Sequence, residues 1–196
     1  MKVRLAEKKD LNFIDYLQKK NAEELSFYPK TVFEREIDNL RIILAEINNE
    51  PCGYLYHGAE ITYCKIHQAC IEYDLRGQLY GSKLVRTLIE NVKIMGVWSV
   101  TLRCGSDIQA NEFWKSMGFY CEAVTEGGIR RLRDINNWRY DIQKPLFYNS
   151  FTPSEKKQDA SMWRKRKANI NNSFIRGKKL LNYRRKILSE IKNDNK

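Results

Sequence analysis

Residues 62–104 constrain this chain most. The run Thr62-Tyr63-Cys64-Lys65-Ile66-His67-Gln68-Ala69-Cys70-Ile71-Glu72-Tyr73 has the β-branched and aromatic content of a strand, and it leads into the glycine-bearing stretch Leu75-Arg76-Gly77-Gln78-Leu79-Tyr80-Gly81-Ser82-Lys83-Leu84. Beyond Gly81 the apolar positions Leu84, Val85, Leu88, Ile89 and Val92 recur at helical spacing, and Gly96 closes the pattern. Val97-Trp98-Ser99-Val100-Thr101-Leu102-Arg103-Cys104 then reads as another strand. A strand, a tight loop, a helix and a strand in that order require a sheet covered by helices, so the fold class is mixed α and β.

The flanks agree. A strand over Lys2–Leu5 precedes a helix with Leu11, Ile14 and Leu17 on one face, for which Asp10 is the expected N-cap, and a second helix is expected near Thr31–Asn39. Two β-rich runs separated by Asn48-Asn49-Glu50-Pro51 read as a hairpin. After Cys104, a short helix is expected to be capped by Ser106 or Asp107 and ended by Gly118, and strands follow around residues 120–125 and 137–142. No internal repeat is visible.

Charge divides the chain in two. Residues 151–196 carry 14 Lys or Arg against 4 Asp or Glu, whereas residues 1–150 carry 21 against 20, so the net charge of +11 belongs almost entirely to the tail. The N-terminus has no signal-like apolar stretch, and no run approaches the roughly 18 apolar residues of a spanning helix. The expectation is a soluble, cytoplasmic protein, with monomer and homodimer both open. Five cysteines without CxxC spacing read as small buried thiols, and with only two histidines no metal site is expected.

A strand running into a glycine turn and then a helix aims backbone N–H groups and the positive helix end at one point, which suits a phosphate. Taken alone, the signal is weak, because most strand-turn-helix connections bind nothing. A second motif adds to it: Asp107-Ile108-Gln109-Ala110-Asn111-Glu112-Phe113-Trp114, followed by Met117-Gly118-Phe119. With both motifs in this order, the chain resembles the GCN5-related N-acetyltransferases (GNAT) over residues 1–145. Arg76 opens the family's pyrophosphate pattern and Gly81 supplies its last glycine.

The resemblance implies a central twisted, mostly antiparallel sheet flanked by helices. It also implies acetyl-CoA or another acyl-CoA as cofactor and an amine as acceptor, attacking the thioester directly. Its pyrophosphate would lie over Arg76, Gly77, Gln78, Leu79, Tyr80, Gly81 and Ser82, and its pantetheine beside Ile71 to Tyr73. Asp107, Ala110 and Trp114 would complete the cofactor site. Two positions depart from the family pattern. Leu79 stands where a glycine is usual, with Gly77 as the source of relief. Trp114 stands where many members have a tyrosine that protonates the departing thiolate, and an indole N–H is no ordinary acid. Tyr80, Tyr120 and water are the replacements to consider. Glu72 or Asp74, or Tyr73 through water, is near enough in sequence to serve as base, although a solvated acidic pair at a strand end explains them equally. Cys104 reads as a core or site-lining thiol.

Arg130, Arg131 and Arg133 lie together in the late hairpin. They form either a cationic acceptor rim or an ordinary solvated turn. The chain is expected to divide into a catalytic unit of residues 1–148, a linker of residues 149–160 around Pro153, and a basic extension of residues 161–196, helical or partly disordered. That extension mixes Trp163 with Arg164, Arg166, Arg184 and Arg185, a composition that suits DNA or RNA through phosphate contacts and base stacking. Its apolar stripe also permits a partner helix, docking or a membrane surface. The leading expectation is an acyltransferase acting on a nucleic-acid-associated amine, such as an aminoacyl-tRNA or an amino-modified DNA base. The alternatives are a small amine or protein amine, or a degenerate scaffold of the same fold that binds nucleic acid or modifies bases unconventionally.

Overall fold

The two β-rich runs after residue 41 do form a hairpin, but a tighter one than their composition suggests. In the computed structural model, which describes residues 1–60, 62–128 and 133–142, β2 (Ile42–Ile47) and β3 (Glu50–Ala59) are joined by Asn48 and Asn49 alone. Both asparagines have positive φ, 53° and 66°, the left-handed pair that a two-residue hairpin with native twist requires. Glu50 and Pro51 therefore belong to the strand and not to the connection. Pro51 is accommodated at a bulge, where the register slips between Ala45 and Glu46 and leaves Cys52 as the extra residue.

Five more strands complete one seven-stranded sheet in the order β1-β2-β3-β4-β5-β7-β6. They are β1 (Lys2–Leu5), β4 (Tyr63–Ile71), β5 (Ser99–Gly105), β6 (Tyr120–Thr125) and β7 (Ile135–Asp141). Every pairing is antiparallel except β4 with β5, where α3 (Tyr80–Ile94) supplies the crossover that a parallel pair needs. The helices α1 (Leu11–Lys20) and α2 (Lys30–Asp38) cover the other face, and α4 (Ala110–Ser116) follows β5.

Each face has its own core. Leu84, Val85, Leu88 and Val92 of α3 pack on Ile43, Leu55, Ile66 and Val100, while Ile14, Leu17, Phe33 and Ile37 of α1 and α2 pack on Ile42, Leu44 and Tyr54. Helices α3 and α4 both end in a left-handed glycine, Gly96 and Gly118, with the next N–H reaching back five residues, from Val97 to Val92 O and from Phe119 to Trp114 O. Cys52, Cys64, Cys70 and Cys104 are buried, whereas Cys121 is exposed on β6, contrary to the reading of every cysteine as a core thiol.

Two expected helix caps have other work. Asp10 closes a short 3-10 turn before α1 and makes no side-chain cap on that helix. Its buried carboxylate takes the Glu7 N–H at 2.7 Å and both terminal nitrogens of Arg4. Burial alone would raise the Asp10 pKa, but the Arg4 guanidinium and the Glu7 N–H outweigh it and hold the carboxyl below its ordinary range. Neither Ser106 nor Asp107 caps α4, which begins later, at Ala110. The preceding turn is held instead by Asn111, whose Nδ2 donates to the carbonyls of Gly105 and Ile108, each at 2.7 Å. Asn111 Oδ1 accepts from Trp138 Nε1 at 2.9 Å.

Strand β4 carries a second bulge. Tyr56 pairs with Gln68 but His57 pairs with Ile66, so His67 is the extra residue. Its ring stacks on Tyr56 at 4.7 Å between centroids, with Tyr28 edge-on to the pair. Burial pushes the His67 pKa down, so the ring is held neutral. The segments 129–132 and 143–196, with Arg130, Arg131 and the whole basic extension, lie outside the described residues, as do the expected linker and its boundaries.

Two measurements test these assignments. A Cβ on Gly53 would lie 2.7 Å from the Cys70 carbonyl oxygen and run into Ile71 Cδ1, so Gly53→Ala is expected to cost about 2 kcal/mol in urea unfolding through overpacking. A depressed histidine pKa stabilises the fold above the unfolded value and loses that contribution as pH falls through the folded one. Between about pH 7.5 and pH 5.5 the wild type should therefore lose more thermal stability than His67→Phe, which keeps the stack and removes the titrating group. Equal losses would remove His67 from the account.

Candidate active site

Pairing between β4 and β5 stops at Ile66 with Leu102, immediately before the bulge at His67. Beyond that point β4 stays with β3, and the end of β5, Arg103 to Gly105, pairs only with β7. The strands part, and the sheet opens at its centre. The Glu72 N–H donates to Cys52 O of β3 at 3.0 Å, so the alternation of an antiparallel ladder turns the backbone groups of Ala69 and Ile71 to the edge that β5 has left. An edge of this kind receives an extended, amide-bearing chain as an added strand.

At the end of that edge lies a cavity of about 430 Å³. Ala69 and Ile71 border it, the loop before α3 and the first turn of α3 form one wall, and Ala110, Phe113 and Trp114 of α4 form the other. The first intrahelical bond of α3 runs from the Lys83 N–H to Leu79 O at 3.0 Å, and no side chain caps the helix. The amides of Tyr80, Gly81 and Ser82 thus have no partner in their own helix, and they sit at its positive end. No acidic side chain occupies this first turn. Gly81 faces α4, where a Cβ would meet Phe113 Cζ at 3.4 Å, so its lack of a side chain keeps the two helices close across the cavity.

Leu79 itself adopts the left-handed conformation, φ 65°, as does Gly77 at φ 79°. Gly77 therefore does not spare Leu79 the strain expected of a non-glycine residue there, about 1 kcal/mol. The leucine is tolerated because its side chain is 75% exposed at the cavity mouth and not driven into the loop.

Of the residues singled out in the sequence, Ile71, Arg76, Gly77, Leu79, Tyr80, Gly81, Ser82, Ala110 and Trp114 all border the cavity. Tyr73, Gln78, Asp107, Glu72 and Tyr120 do not. Tyr120 begins β6 and donates its hydroxyl to Asp141 Oδ2 at 2.8 Å, and Asp107 pairs with Arg133. Trp114 is a core residue as much as a wall: it is 6% exposed and packs edge-on against Phe113 and Phe119. Arg76 borders the loop, yet its guanidinium is engaged elsewhere. It donates to Asn21 Oδ1 at 2.6 Å, pairs with Glu24 at 3.2 Å and lies over the Tyr73 ring, tying the loop to the end of α1.

Glu24 and Leu25, from the connection between α1 and α2, also border the cavity. No local pattern marks them, because they come from a segment about fifty residues distant that is brought over the sheet by side chains. Gln18 bonds both the N–H and the carbonyl of Tyr28, and Gln68 bonds Gln18, the Ser26 carbonyl and the Tyr54 hydroxyl. Phe113 was nearer to legibility, one helical turn from Ala110 in the second motif.

Burial pushes the thiols of Cys70 and Cys104 up to about 11, so both are protonated near neutral pH and neither is a nucleophile in waiting. Among the described residues no group of His, Cys, Asp or Glu is placed to hold a metal ion, and no helix is long and apolar enough to cross a membrane.

Residues 13–130 match a family model described as an acetyltransferase (GNAT) domain. An uncharacterised N-acetyltransferase of Methanocaldococcus jannaschii is 28% identical over 128 residues, 61% of this chain and 54% of that protein. The match thus spans about half of that relative's length. Among solved structures, Ard1 from Thermoplasma volcanium superposes with a TM-score of 0.67 at 14% identity, over 73% of this chain and 98% of that one. YncA from Salmonella typhimurium, solved with its cofactor acetyl-CoA, gives 0.65 at 16% over 74% and 96%. The ribosomal-protein-S18-alanine N-acetyltransferase of Escherichia coli gives 0.63 at 14% over 74% and 95%.

If Leu79 is strained but outward, Leu79→Gly should change stability by no more than about 1 kcal/mol, because relief of the left-handed strain is offset by the greater freedom of glycine in the unfolded chain. Chemical denaturation checks this. A loss of several kcal/mol would mean that the leucine side chain is a packing element.

Proposed function

Because the chain belongs to the acetyltransferase (GNAT) domain family, we propose that it is an acetyl-CoA-dependent N-acetyltransferase. The observation that carries this reading is the conjunction, in one cavity, of the unpaired first-turn amides of α3 with the parted edge of β4. The residues present fit the cofactor. Gly77 and the amides of Tyr80, Gly81 and Ser82 would hold its pyrophosphate, the backbone of Ala69 and Ile71 would pair with its pantetheine arm, and Ala110, Phe113 and Trp114 would wall the arm in. Bound there, acetyl-CoA supplies an acetyl group activated as a thioester.

The chain's own part is to position two reactants and to manage two protons. The acceptor nitrogen bonds to the acetyl carbon as the carbon–sulfur bond breaks; the nitrogen gives up a proton and the sulfur gains one. Backbone N–H groups on the parted β4 edge would polarise the carbonyl. Trp114 donates a hydrogen bond at most, and Tyr80, whose amide would hold the pyrophosphate, is a whole pantetheine arm away from the sulfur, so the proton for sulfur is assigned to water. Tyr120, engaged with Asp141, is the weaker choice, and Glu72 stands outside the cavity, which favours water-relayed loss of the amine proton.

The composition of the C-terminal extension supports an acceptor that belongs to, or travels with, a nucleic acid. Fourteen basic residues in 46 positions, with Trp163 among them, would raise the local concentration of a polyphosphate near the cavity without reading its bases.

Label transfer from acetyl-CoA to separate pools of aminoacyl-tRNA, other RNA, DNA, protein and small amines is the direct test. Transfer to a nucleic-acid pool, reduced in the full-length chain when Arg164, Arg166, Arg184 and Arg185 are changed to Gln, is expected; equal transfer to protein or small amines by both forms would remove the nucleic acid from the proposal. Gly81→Asp, which sets a carboxylate against the pyrophosphate, should weaken acetyl-CoA binding at least about tenfold by calorimetry, about 1.4 kcal/mol. Unchanged affinity would displace the cofactor from this cavity.

A further inference from the structure

Among the described residues that border the cavity, Arg76 is the one basic side chain, against two carboxylates, Glu24 and Glu112. A wall with more acid than base repels a polyanion, yet the first-turn amides of α3 on the same cavity suit one. Arg76 does not resolve this by offering its guanidinium to the cavity. Nη2 donates to Asn21 Oδ1 at 2.6 Å and to Glu24 Oε2 at 3.2 Å, and Nη1 to Glu24 Oε1 at 3.4 Å. Nε is directed at the Ile71 carbonyl at 3.4 Å, and the Tyr73 ring lies against the guanidinium. Asn21 is itself oriented, since its Nδ2 donates to Leu17 O at 2.8 Å. The two-pronged fork that would suit a phosphate is thus set on the two oxygens of Glu24.

The pair is partly solvated, with Arg76 33% and Glu24 43% exposed, so it contributes little to the stability of the fold. Its consequence lies in the field of the cavity. The charge of Glu24 is felt by the thiols of both Cys70, on β4, and Cys104, on β5, which sets the carboxylate over the gap between the parted strands. An uncompensated carboxylate there acts over about 8 Å, one Debye length in physiological salt, and would oppose a polyanion entering the cavity. With the guanidinium against it, the two charges cancel at that range. The same contacts hold the α1–α2 connection on the loop before α3.

We propose that Arg76 is a positioning residue for the cofactor that acts through Glu24: it cancels the carboxylate on the cavity wall and leaves the pyrophosphate to the backbone amides. This rests on the acetyltransferase reading above. Removing Arg76 alone unmasks Glu24, whereas removing both charges restores a neutral wall. A guanidinium in contact with the phosphate would behave differently, because its loss could not be made good by changing Glu24.

Calorimetric titration of the full-length protein at low ionic strength tests this, with acetyl-CoA as one probe and S-acetylpantetheine, which has the arm and no phosphate, as the other. Arg76→Gln should weaken acetyl-CoA binding about three- to fivefold, and the loss should shrink as salt is added. Glu24→Gln alone should bind acetyl-CoA no more weakly than the wild type. The double variant Arg76→Gln, Glu24→Gln should return to within about twofold of the wild type, and Arg76→Lys, which keeps the charge without the fork, should retain most of the affinity. S-acetylpantetheine should bind the wild type and Arg76→Gln alike. A double variant as weak as Arg76→Gln would put the guanidinium on the phosphate itself and overturn the proposal. An equal loss for S-acetylpantetheine would overturn it too, by reducing Arg76 to a structural tie. Wild type that binds neither probe would sink the acetyltransferase reading and this proposal with it; wild type that binds acetyl-CoA, with no rescue in the double variant, sinks this proposal alone.

Discussion

The extra residue in β4 is the constraint on which the site depends. A parallel β4–β5 pair continued to the end of both strands would close the sheet and satisfy every backbone group within it. Inserting His67 bends β4 away at the point where its pairing with β5 ends, and the edge of Ala69 and Ile71 is left for a ligand to complete. The bulge is held from the opposite face. The stack of His67 on Tyr56, with Tyr28 edge-on, gives the inserted residue a packed position, so the opening is built into the sheet and does not await a partner.

Around this opening, the mobile-looking parts of the sequence are fixed by a few buried amides. Gln18 and Gln68 satisfy each other and the backbone of the α1–α2 connection, and Asn111 does the same for the β5–α4 turn. Fully satisfied networks of this kind specify one geometry, because any displacement leaves a buried polar group without a partner. Both lips of the cavity are thereby held at a set distance from the sheet. Arg76 adds a third tie, from the loop before α3 to the end of α1, and spends its charge on Asn21 and Glu24 in doing so. In the proposed cofactor site, anion binding at the loop would fall to backbone amides and the helix end.

The two departures from the family pattern have different structural weights. Leu79 keeps the left-handed backbone that a glycine would adopt freely, and turns its bulk to solvent. Trp114 replaces a phenol with a larger ring that the core absorbs, in contact with Phe113 and Phe119. Neither alters the route of the main chain around the cavity. Each moves a burden: backbone strain in the first case, proton delivery in the second.

How much was legible follows from what kind of signal each feature leaves. The β-rich composition of β2 to β5 and the helical spacing of Leu84, Val85, Leu88 and Val92 are local signals, so the mixed fold and the strand-loop-helix at Arg76 to Ser82 could be read directly. Asp10, Ser106 and Asp107 have cap chemistry, but Arg4 and Arg133 take the carboxylates of Asp10 and Asp107, and Asn111 holds the turn before α4 through its backbone carbonyls, outcomes settled only by tertiary contacts. The bulge at His67 leaves no trace, because one inserted residue changes neither composition nor period enough to notice. Glu24 and Leu25 became neighbours of the cavity only when segments distant in sequence were laid side by side. The sequence by itself determined the class of fold, the strand-loop-helix with its glycines and the separation of a neutral body from a basic extension, since these depend on period, glycine placement and charge counts. Which side chains face the cavity, and which are spent holding it open, was decided by tertiary structure, since a hydrogen bond across the sheet depends on register, and register is a property of strands in pairs.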